Sequence, residues 1–375
     1  MRMPRRSLPV VTTVAAAVVA LVALTACGTS TKSDAATAAT TTTAASVATT
    51  GADSATSTTT TDVATGAAVA SRGCDLAPSG PVHLERRELP VAELTRWYLI
   101  TVPTAASSST PLPLVLDFHG LTEGAEVHAK MTGMGDYAEA HGFVAVLPQG
   151  TGDLARWAAG PGGDASSPNA DIDFVAALLD QIEATQCIDR SRVYATGLSN
   201  GAMLTSMLAC RLANRFAAVA PVAGATDFTS CTPSAVVPML TIHGTADPIL
   251  LFNGGVGDLV KVLSGGKAAS TAPATTTIPT DVNGPGYPAN VAAWAKRNGC
   301  EPTPTDTEVT EAVTLRTYDC PRGADVEMYI VAGGGHAWPG SEFSRSIESI
   351  VGLTTFDIDA TDVVWKFFQR FRRAP

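Results

Sequence analysis

The sequence predicts an α/β domain, with a mostly parallel β-sheet and helices on both faces. Short apolar runs of strand length alternate with longer helical stretches from residue 95 to the C-terminus, the pattern of a parallel sheet. A five-residue glycine-flanked serine motif lies between one such strand and one such helix. About 300 residues follow the N-terminal region, which is enough for one large domain with its own core.

The elements are expected in a regular order. Nearly continuous apolar runs are typical of strands covered on both faces, and they predict most of the sheet. The expected strands are residues 95–102, 113–118, 142–148, 192–196, 216–222, 237–242 and 326–331, and the expected helices are 131–141, 174–185, 202–209, 287–298 and 361–371. Residues 158–169 are expected to form a loop. Residues 253–288 are rich in Gly, Thr and Pro and predict a long excursion of the kind that often carries binding or lid functions.

The N-terminus has the features of an export signal rather than of a folded element. Three arginines precede an apolar stretch over residues 10–24, which is shorter than the about 20 residues of a membrane span. The Leu-Thr-Ala triplet before Cys27 resembles a bacterial lipobox, so residues 1–26 are expected to be a lipoprotein signal peptide and Cys27 the lipid-modified N-terminus. The alternative is an ordinary cleaved signal with a chance cysteine.

Two further segments follow Cys27. Residues 27–72 are almost entirely Thr, Ala, Ser and Gly and predict a disordered tether, and residues 73–375 are expected to be the folded α/β domain. The formal charge is −10, and loss of the signal with its three arginines and no acid gives −10 − 3 = −13. This charge argues against nucleic acid as a partner.

The cysteines indicate disulfides in an oxidising compartment. Apart from Cys27 there are six, an even number in an exported domain. Cys300 and Cys320 are the best local pair. The other four cysteines allow three connectivities. The favoured one pairs Cys210 with Cys231 and Cys74 with Cys187. No C-x₂-C spacing supports a zinc site, and no metal is expected.

The central motif is Gly197-Leu198-Ser199-Asn200-Gly201. It follows the β-rich run 192–196 and precedes the helical stretch 202–209, which is the context of a nucleophile elbow. Glycines two residues either side of Ser199 allow a turn too tight for side chains. Ser199 is therefore the expected nucleophile.

A serine nucleophile needs a base and an acid that orients it. Two histidines follow Ser199, and His336 is the expected base because it lies in a glycine-rich loop after the last strand. His243 is the alternative. Asp247 follows the strand between them and is the expected acid, although an Asp-Pro pair also favours a simple turn. Asp227 and Asp258 are its rivals.

Donors for an oxyanion are expected from two backbone N–H groups. Asn200 begins the helix after the nucleophile, and Leu121 lies in the loop after the strand that ends at Phe118. His119 is expected to hold that loop.

Other polar and aromatic residues near these strand ends have either a functional or a structural role. Trp157 and Trp338 are candidates for substrate contact, with core packing the equal alternative. Asp171 and Asp173 are expected to cap the helix that follows them rather than to bind metal.

With these residues in place, the chain resembles the polyhydroxybutyrate depolymerase and feruloyl esterase group of α/β-hydrolases, including its secreted actinobacterial lipoproteins. The resemblance covers roughly residue 73 to the C-terminus. Its motifs are Phe118-His119-Gly120, Pro148-Gln149-Gly150-Thr151, residues 192–201, His243-Gly244-Thr245-Ala246-Asp247-Pro248 and Gly334-Gly335-His336-Ala337-Trp338-Pro339-Gly340. It implies an α/β-hydrolase fold, no cofactor, and Ser199, Asp247 and His336 as the triad.

The expected function is that of an extracytoplasmic, lipid-anchored or secreted serine esterase. The ester is a polyhydroxyalkanoate-type polyester or a feruloyl or acetyl group on polysaccharide, and the membrane is a partner through Cys27. A serine peptidase on the same fold and a non-catalytic surface lipoprotein that binds polymer are the alternatives. The sequence does not indicate the oligomeric state.

Overall fold

A computed structural model describes residues 66–106, 110–159, 169–228, 230–263 and 280–373. All of these belong to one compact unit, Val63–Pro375. The predicted signal peptide, Cys27 and most of the predicted tether lie outside the described residues. None of the described helices combines the length and apolar character that a membrane crossing requires.

A ten-stranded sheet forms the centre of the domain. Its strands are β1 (Val82–Val91), β2 (Leu94–Val102), β3 (Leu112–Phe118), β4 (Val144–Pro148), β5 (Ile188–Leu198), β6 (Ala218–Val222), β7 (Met239–Gly244), β8 (Thr305–Thr310), β9 (Val313–Thr317) and β10 (Val326–Val331). Their order across the sheet is β1-β2-β4-β3-β5-β6-β7-β10-β9-β8. The central pairs from β4 to β10 are parallel, and the two outer pairs on each side are antiparallel. The chain is an α/β-hydrolase fold, as the sequence predicts.

Helices cover both faces of this sheet. They are α1 (Ala125–Thr132), α2 (Met134–His141), α3 (Ala170–Thr185), α4 (Asn200–Arg211), α5 (Asp258–Leu263), α6 (Tyr287–Arg297), α7 (Glu342–Ser346), α8 (Glu348–Val351) and α9 (Ala360–Phe368), with short 3₁₀ turns at Arg72–Asp75 and Ala213–Arg215. Apolar side chains of α3, α4 and α6 pack with one face of the sheet, and those of α1, α2 and α9 pack with the other. The central strands are buried on both faces, which is why they are continuously apolar in sequence.

The order of the strands determines where the loops at the carboxyl ends of β3 and β5 lie. β3 and β5 are neighbours, with β4 beyond β3 and β6 beyond β5, so the direction of winding reverses between β3 and β5. In open α/β sheets, ligands bind outside the carboxyl ends of the strands at this reversal. The loop after β3 and the turn after β5 therefore meet at one edge of the sheet.

Several elements differ from the sequence prediction. The helix expected at 131–141 is two helices separated at Gly133, whose φ of 61° is left-handed. The edge strands β1 and β8 and the neighbouring strand β9 were not predicted. Both edge strands are largely exposed and carry charged or Thr-rich sequence instead of an apolar run. The excursion 253–288 contains the short helix α5.

The folded domain also begins before Gly73. The Val69 N–H donates to Asp189 Oδ1 at 3.0 Å, and Ala70 forms a β-bridge with Asp189. The Ser71 hydroxyl is buried and donates to the Gln186 carbonyl. These residues, assigned to the tether from composition, are paired with the start of β5 and with the residues just before it.

Three disulfides cross-link the described part of the domain: Cys74–Cys187, Cys210–Cys231 and Cys300–Cys320. This is the connectivity that the sequence favoured. The first ties the N-terminal 3₁₀ turn to the start of β5, the second ties the end of α4 to the segment after β6, and the third joins the ends of α6 and β9.

Candidate active site

Ser199 occupies the sharp turn between β5 and α4. Its φ of 57° and ψ of −116° are a strained conformation for a residue with a side chain. A Cβ at Gly197 would lie 2.5 Å from the Phe118 carbonyl oxygen, and one at Gly201 would lie 2.0 Å from the same oxygen. The glycines are thus required because β3 passes directly beside the turn. This close approach of the backbone is the reason for the two glycines that the sequence motif suggested.

Strand β6 holds the other side of this turn. The Ser199 N–H donates to the Val222 carbonyl at 2.9 Å. A Cβ at Gly224 would lie 2.4 Å from the Ser199 carbonyl oxygen, so the chain after β6 also approaches closely. Ser199 is therefore fixed by the two strands that flank β5.

Asp247 and His336 are hydrogen-bonded to each other although they are far apart in sequence. His336 Nδ1 lies 2.7 Å from Asp247 Oδ2. Asp247 Oδ1 accepts the N–H groups of Ile249 and Leu250, each at 2.8 Å, so the carboxylate is held on both sides. Because Asp247 is an acceptor, Nδ1 of His336 carries the proton and Nε2 is the basic nitrogen.

Electrostatics favours a charged His336 beside a charged Asp247. Burial opposes ionisation of both, but their attraction and hydrogen bond outweigh it. The pKa of Asp247 is held below its usual range, with His243 contributing, and the pKa of His336 is raised by Asp247 and also by Glu123. This pair can take up a proton at Nε2 and stabilise the resulting imidazolium.

Backbone contacts hold together the loops that carry the pair. The Ala246 N–H donates to the Gly334 carbonyl at 2.9 Å, and the Gly333 N–H donates to Thr245 Oγ1 at 2.8 Å. A Cβ at Gly244 would lie 2.2 Å from the Gly334 oxygen, so glycine is needed at this crossing. The geometry of the Asp247–His336 pair is a consequence of β7 and β10 being parallel neighbours.

The structure joins Asp247 to His336 and places Ser199 at the elbow, but it has no hydrogen bond between Ser199 and His336, both of which it describes. Such bonds are often long before substrate binds. The rival acid Asp227 lies elsewhere, in an ion pair with Arg297. His243, the alternative base, donates from Nε2 to the Leu250 carbonyl at 3.0 Å and lies 3.2 Å from Asp247 Oδ2, so that nitrogen is already engaged.

The loop after β3 is held by His119, as expected. Its Nε2 accepts the Gly150 N–H at 2.8 Å, and its Nδ1 donates to the Gly120 carbonyl at 2.7 Å. Burial lowers the pKa of His119 to about 4, so the ring is neutral. Leu121 follows Gly120 in this loop, and its side chain is exposed.

Asn200 has a role beyond its backbone N–H. Its side-chain Oδ1 accepts the Trp157 N–H at 2.7 Å, and its Nδ2 donates to the carbonyls of Trp157 and Ala159. The segment around Trp157 is thus hydrogen-bonded to Asn200, the residue that follows Ser199. Sequence reasoning missed this contact, since an Asn at a helix start has many uses.

Trp157 and Trp338 are both about 1% exposed, which favours the core-packing alternative over substrate contact. The Trp157 indole donates to the His119 carbonyl at 2.8 Å, and the Trp338 indole donates to Thr361 Oγ1 at 3.0 Å. Each ring is a packed side chain that supports a loop of the site, and neither presents a face to solvent.

Asp171 is not the helix cap that the sequence suggested. Asn169 precedes α3, and Asp171 lies within its first turn, almost fully buried. Its carboxylate accepts from Arg96 Nη2 at 3.0 Å and from the Ala158 N–H at 2.6 Å. Asp173 is exposed in the same turn, where a negative charge suits the helix dipole.

Three titratable residues near the site were not predicted: Asp117, Glu123 and His128. Asp117 and His128 are fully buried and lie 2.7 Å apart between Oδ1 and Nε2. A lone acid near the end of the apolar run 112–118 was the available signal, because a buried charge needs a partner. Among the described residues, no group of three or more His, Cys, Asp or Glu side chains is arranged so that it could hold a metal ion.

Comparison with known proteins gives the family. Residues 96–268 match the family model described as esterase PHB depolymerase. The putative esterase NocK of Nocardia uniformis subsp. tsuyamanensis is 30% identical over 298 residues, which cover 75% of this chain and 81% of that protein. This chain belongs to the PHB depolymerase esterase family. It is a carboxylic-ester hydrolase.

Other known proteins match somewhat smaller shares of this chain. Feruloyl esterase B of Piromyces equi is 27% identical over 250 residues, 64% of this chain but only 42% of that protein. Among solved structures, an acetyl xylan esterase from Aspergillus awamori matches 70% of this chain and 98% of its own, with 16% identity and a TM-score of 0.43.

Proposed function

We propose that this esterase acts outside the cytoplasm through a Ser199–His336–Asp247 triad. The observation that carries the proposal is the buried 2.7 Å contact between His336 Nδ1 and Asp247 Oδ2, at the same strand ends as a strained, glycine-flanked serine. A serine hydroxyl is a poor nucleophile without such a base. The chain order Ser, Asp, His is that of α/β-hydrolases.

In this mechanism, His336 Nε2 takes the hydroxyl proton as Ser199 Oγ bonds to the ester carbonyl carbon. The oxyanion that forms is stabilised by the N–H groups of Leu121 and Asn200. The histidine then protonates the alkoxy oxygen, the carbon–oxygen bond to the alcohol breaks, and an acyl-enzyme remains. Water attacks this acyl group with the same histidine as base, which releases the acid and restores Ser199.

The positions of Asn200 and Leu121 support the assignment of their N–H groups as oxyanion donors. Asn200 is the first residue of α4, so its N–H points out of the helix N-terminus, where partial positive charge collects. Leu121 follows Gly120 in the loop after β3, next to β5 in the sheet. Within the described residues, neither N–H has a hydrogen-bond acceptor.

The proposed substrate is an ester carried on a polymer. The named relatives include feruloyl esterases and a bifunctional acetylxylan esterase/xylanase, and the family model carries the name of a polyester depolymerase. Methyl ferulate, acetylated xylan and polyhydroxybutyrate film separate these three esters. A peptide substrate in the same panel tests the peptidase alternative.

The proposed organisation is a lipoprotein signal peptide at residues 1–26, a tether from Cys27, and the hydrolase domain to residue 375. Three disulfides support export, because such bonds persist in oxidising compartments. The lipid anchor at Cys27 rests on the sequence pattern.

Ser199→Ala tests the triad. Hydrolysis of p-nitrophenyl acetate and labelling by a fluorophosphonate should both fall to background, because both need the Ser199 oxygen. Ser346→Ala, at an exposed serine of α7, is the matched control and should behave as wild type. Retained hydrolysis in Ser199→Ala refutes the assignment. Stoichiometric labelling of the wild type without any ester turnover would favour the polymer-binding alternative.

A further inference from the structure

A buried ionic cluster lies beneath the loop that would supply an oxyanion donor. Asp117 Oδ1 is 2.7 Å from His128 Nε2, and His128 Nδ1 is 3.3 Å from Glu123 Oε2. The side chains of Asp117 and His128 are fully buried, and that of Glu123 is 19% exposed. The reaction as proposed above uses none of the three.

Glu123 connects this cluster to the loop backbone. Its Oε2 accepts the Gly120 N–H at 2.8 Å. The Gly120 carbonyl, which belongs to the same peptide as the Leu121 N–H, accepts from His119 Nδ1 at 2.7 Å. Side chains thus hold Gly120 on both sides, and the direction of the Leu121 N–H follows from this. Donor orientation matters because a displacement of about 1 Å can cost a factor of about 100 in rate.

His128 also contacts the loop that carries the proposed base. Its ring meets Trp338 edge to face, with centroids 6.0 Å apart at 83°. Trp338 lies two residues after His336 and is held by Thr361 Oγ1. The cluster therefore lies between the donor loop and the histidine loop and contacts both.

The cluster carries charge at neutral pH. Burial disfavours a charged His128, but Asp117 and Glu123 outweigh it and raise the pKa of His128 to about 10. Burial likewise opposes a charged Glu123, and His128 and the Gly120 N–H lower its pKa nonetheless. One imidazolium thus stands between two carboxylates.

The hydrogen bonding of the cluster is incomplete. Asp117 Oδ2 and His128 Nδ1 are buried without a hydrogen bond to any of the described residues, because the 3.3 Å contact of His128 Nδ1 with Glu123 Oε2 has the distance of an ion pair but not the geometry of a hydrogen bond. Natural proteins satisfy nearly all buried polar atoms, and the exceptions call for a reason other than stability.

We propose that Glu123, held by the His128–Asp117 pair, is a positioning residue for ester hydrolysis: through its hydrogen bond to the Gly120 N–H it orients the Gly120–Leu121 peptide as an oxyanion donor. This inference rests on the triad proposed above. An isolated carboxylate here would repel the oxyanion, and the His128 imidazolium offsets that repulsion. His128 and Asp117 are therefore needed as a charged pair.

The groups around His336 determine how the charge of Glu123 can be detected. From the β7 side these are Asp247 and, beyond it, His243. From the side of β3 and α1 the charged group is Glu123. Of these, Asp247 and Glu123 favour protonated His336, so loss of the Glu123 charge should make the base titrate at lower pH.

Two variants of the full chain separate orientation from charge. Glu123→Gln keeps an oxygen for the Gly120 N–H but removes the charge, and Glu123→Ala removes both. Glu126→Gln, at an exposed acid in the first turn of α1, is the matched control. For each, kcat and KM for p-nitrophenyl acetate are measured across pH, with circular dichroism and thermal melting to verify folding.

For Glu123→Ala we expect kcat to fall about 100-fold with little change in KM, since ground-state binding does not use the donor. For Glu123→Gln we expect kcat to recover most of that loss, and the acid limb of kcat/KM to move to lower pH. Glu126→Gln should match the wild type in both.

Two results overturn the proposal: wild-type kcat in a folded Glu123→Ala, or no recovery of kcat in Glu123→Gln relative to Glu123→Ala. If Glu123→Ala fails to fold, Glu123→Asp takes its place, because its shorter side chain withdraws the oxygen from the Gly120 N–H, and a wild-type kcat in that variant overturns the proposal. Ser199→Ala is assayed in parallel. An active Ser199→Ala refutes the triad itself, whereas an inactive Ser199→Ala with wild-type behaviour at Glu123 refutes only the positioning role.

Discussion

Asp247 Oδ2 lies 2.7 Å from Nδ1 of His336, across a sequence separation of 89 residues. Two parallel neighbours, β7 and β10, bring these residues together, because each residue follows the carboxyl end of its strand. A carboxylate in this position holds the imidazole in the tautomer that leaves Nε2 basic.

Replacing Asp247 with Asn should therefore lower kcat by about 10³–10⁴-fold, because the amide no longer fixes that tautomer or stabilises the imidazolium. Steady-state kinetics with p-nitrophenyl acetate measures the loss. Asp227→Asn is the matched control, since Asp227 was the rival acid and is paired with Arg297. Loss of activity in Asp227→Asn with wild-type activity in Asp247→Asn would reverse the assignment.

The pH dependence of the wild type follows from the same pair. Because Asp247 raises the pKa of His336, the base becomes neutral only above the pH at which an ordinary histidine titrates, about 6.5. The acid limb of kcat/KM should have its midpoint above that value. Asp247→Asn should move any residual limb to lower pH. A wild-type limb at or below about pH 6 would contradict the raised pKa.

The buried pair of Arg96 and Asp171 offers a prediction about stability. The Arg96 guanidinium lies over the Phe174 ring at 3.9 Å and donates to Asp171 and to the Gln149 carbonyl. Asp171→Ala leaves that cation buried without its partner, so we expect a loss of about 3–5 kcal/mol. Urea unfolding at pH 7 gives the value.

Asp173→Ala is the control for Asp171→Ala, because it removes an exposed acid from the same turn of α3. Its expected cost is under about 1 kcal/mol, the size of a helix-dipole interaction. Equal losses in the two variants would show that Asp171 acts only as a first-turn acid.

Much of the site could be predicted from the sequence because its geometry follows from local rules. A parallel sheet collects strand ends at one edge, so the order of Ser199, Asp247 and His336 along the chain was enough to nominate them. The glycines of the elbow were informative because the close passage of β3 excludes every other residue there.

What could not be predicted depends on contacts between distant segments. Glu123 and His128 look like solvated charges beside a helix start, and only the fold brings Asp117 beneath them. Asp171 looked like a cap because its partner Arg96 lies 75 positions away, in strand β2. The tryptophans were ambiguous because burial of an aromatic ring depends on what covers it.

The disulfides should contribute unequally to stability. A longer closed loop removes more freedom from the unfolded chain, and the sequence separations are 113 for Cys74–Cys187 and 20 for Cys300–Cys320. Replacing both cysteines with Ser should cost about 4–5 kcal/mol for the first pair and about 3 kcal/mol for the second. Urea midpoints of the two double variants give the order. A larger loss for the Cys300–Cys320 variant would show that native packing, not loop closure, dominates.

Lipidation at Cys27 can be tested independently of catalysis. Several acyl chains together anchor a protein stably where one does not, so the wild type should fractionate with membranes and incorporate an alkynyl fatty acid. Cys27→Ala should lose the label and leave the membrane fraction, whereas its esterase activity should be unchanged because the proposed triad residues lie elsewhere in the chain. Ser30→Ala, three residues on, should behave as wild type. Membrane retention and labelling in Cys27→Ala would show that the lipid is attached elsewhere.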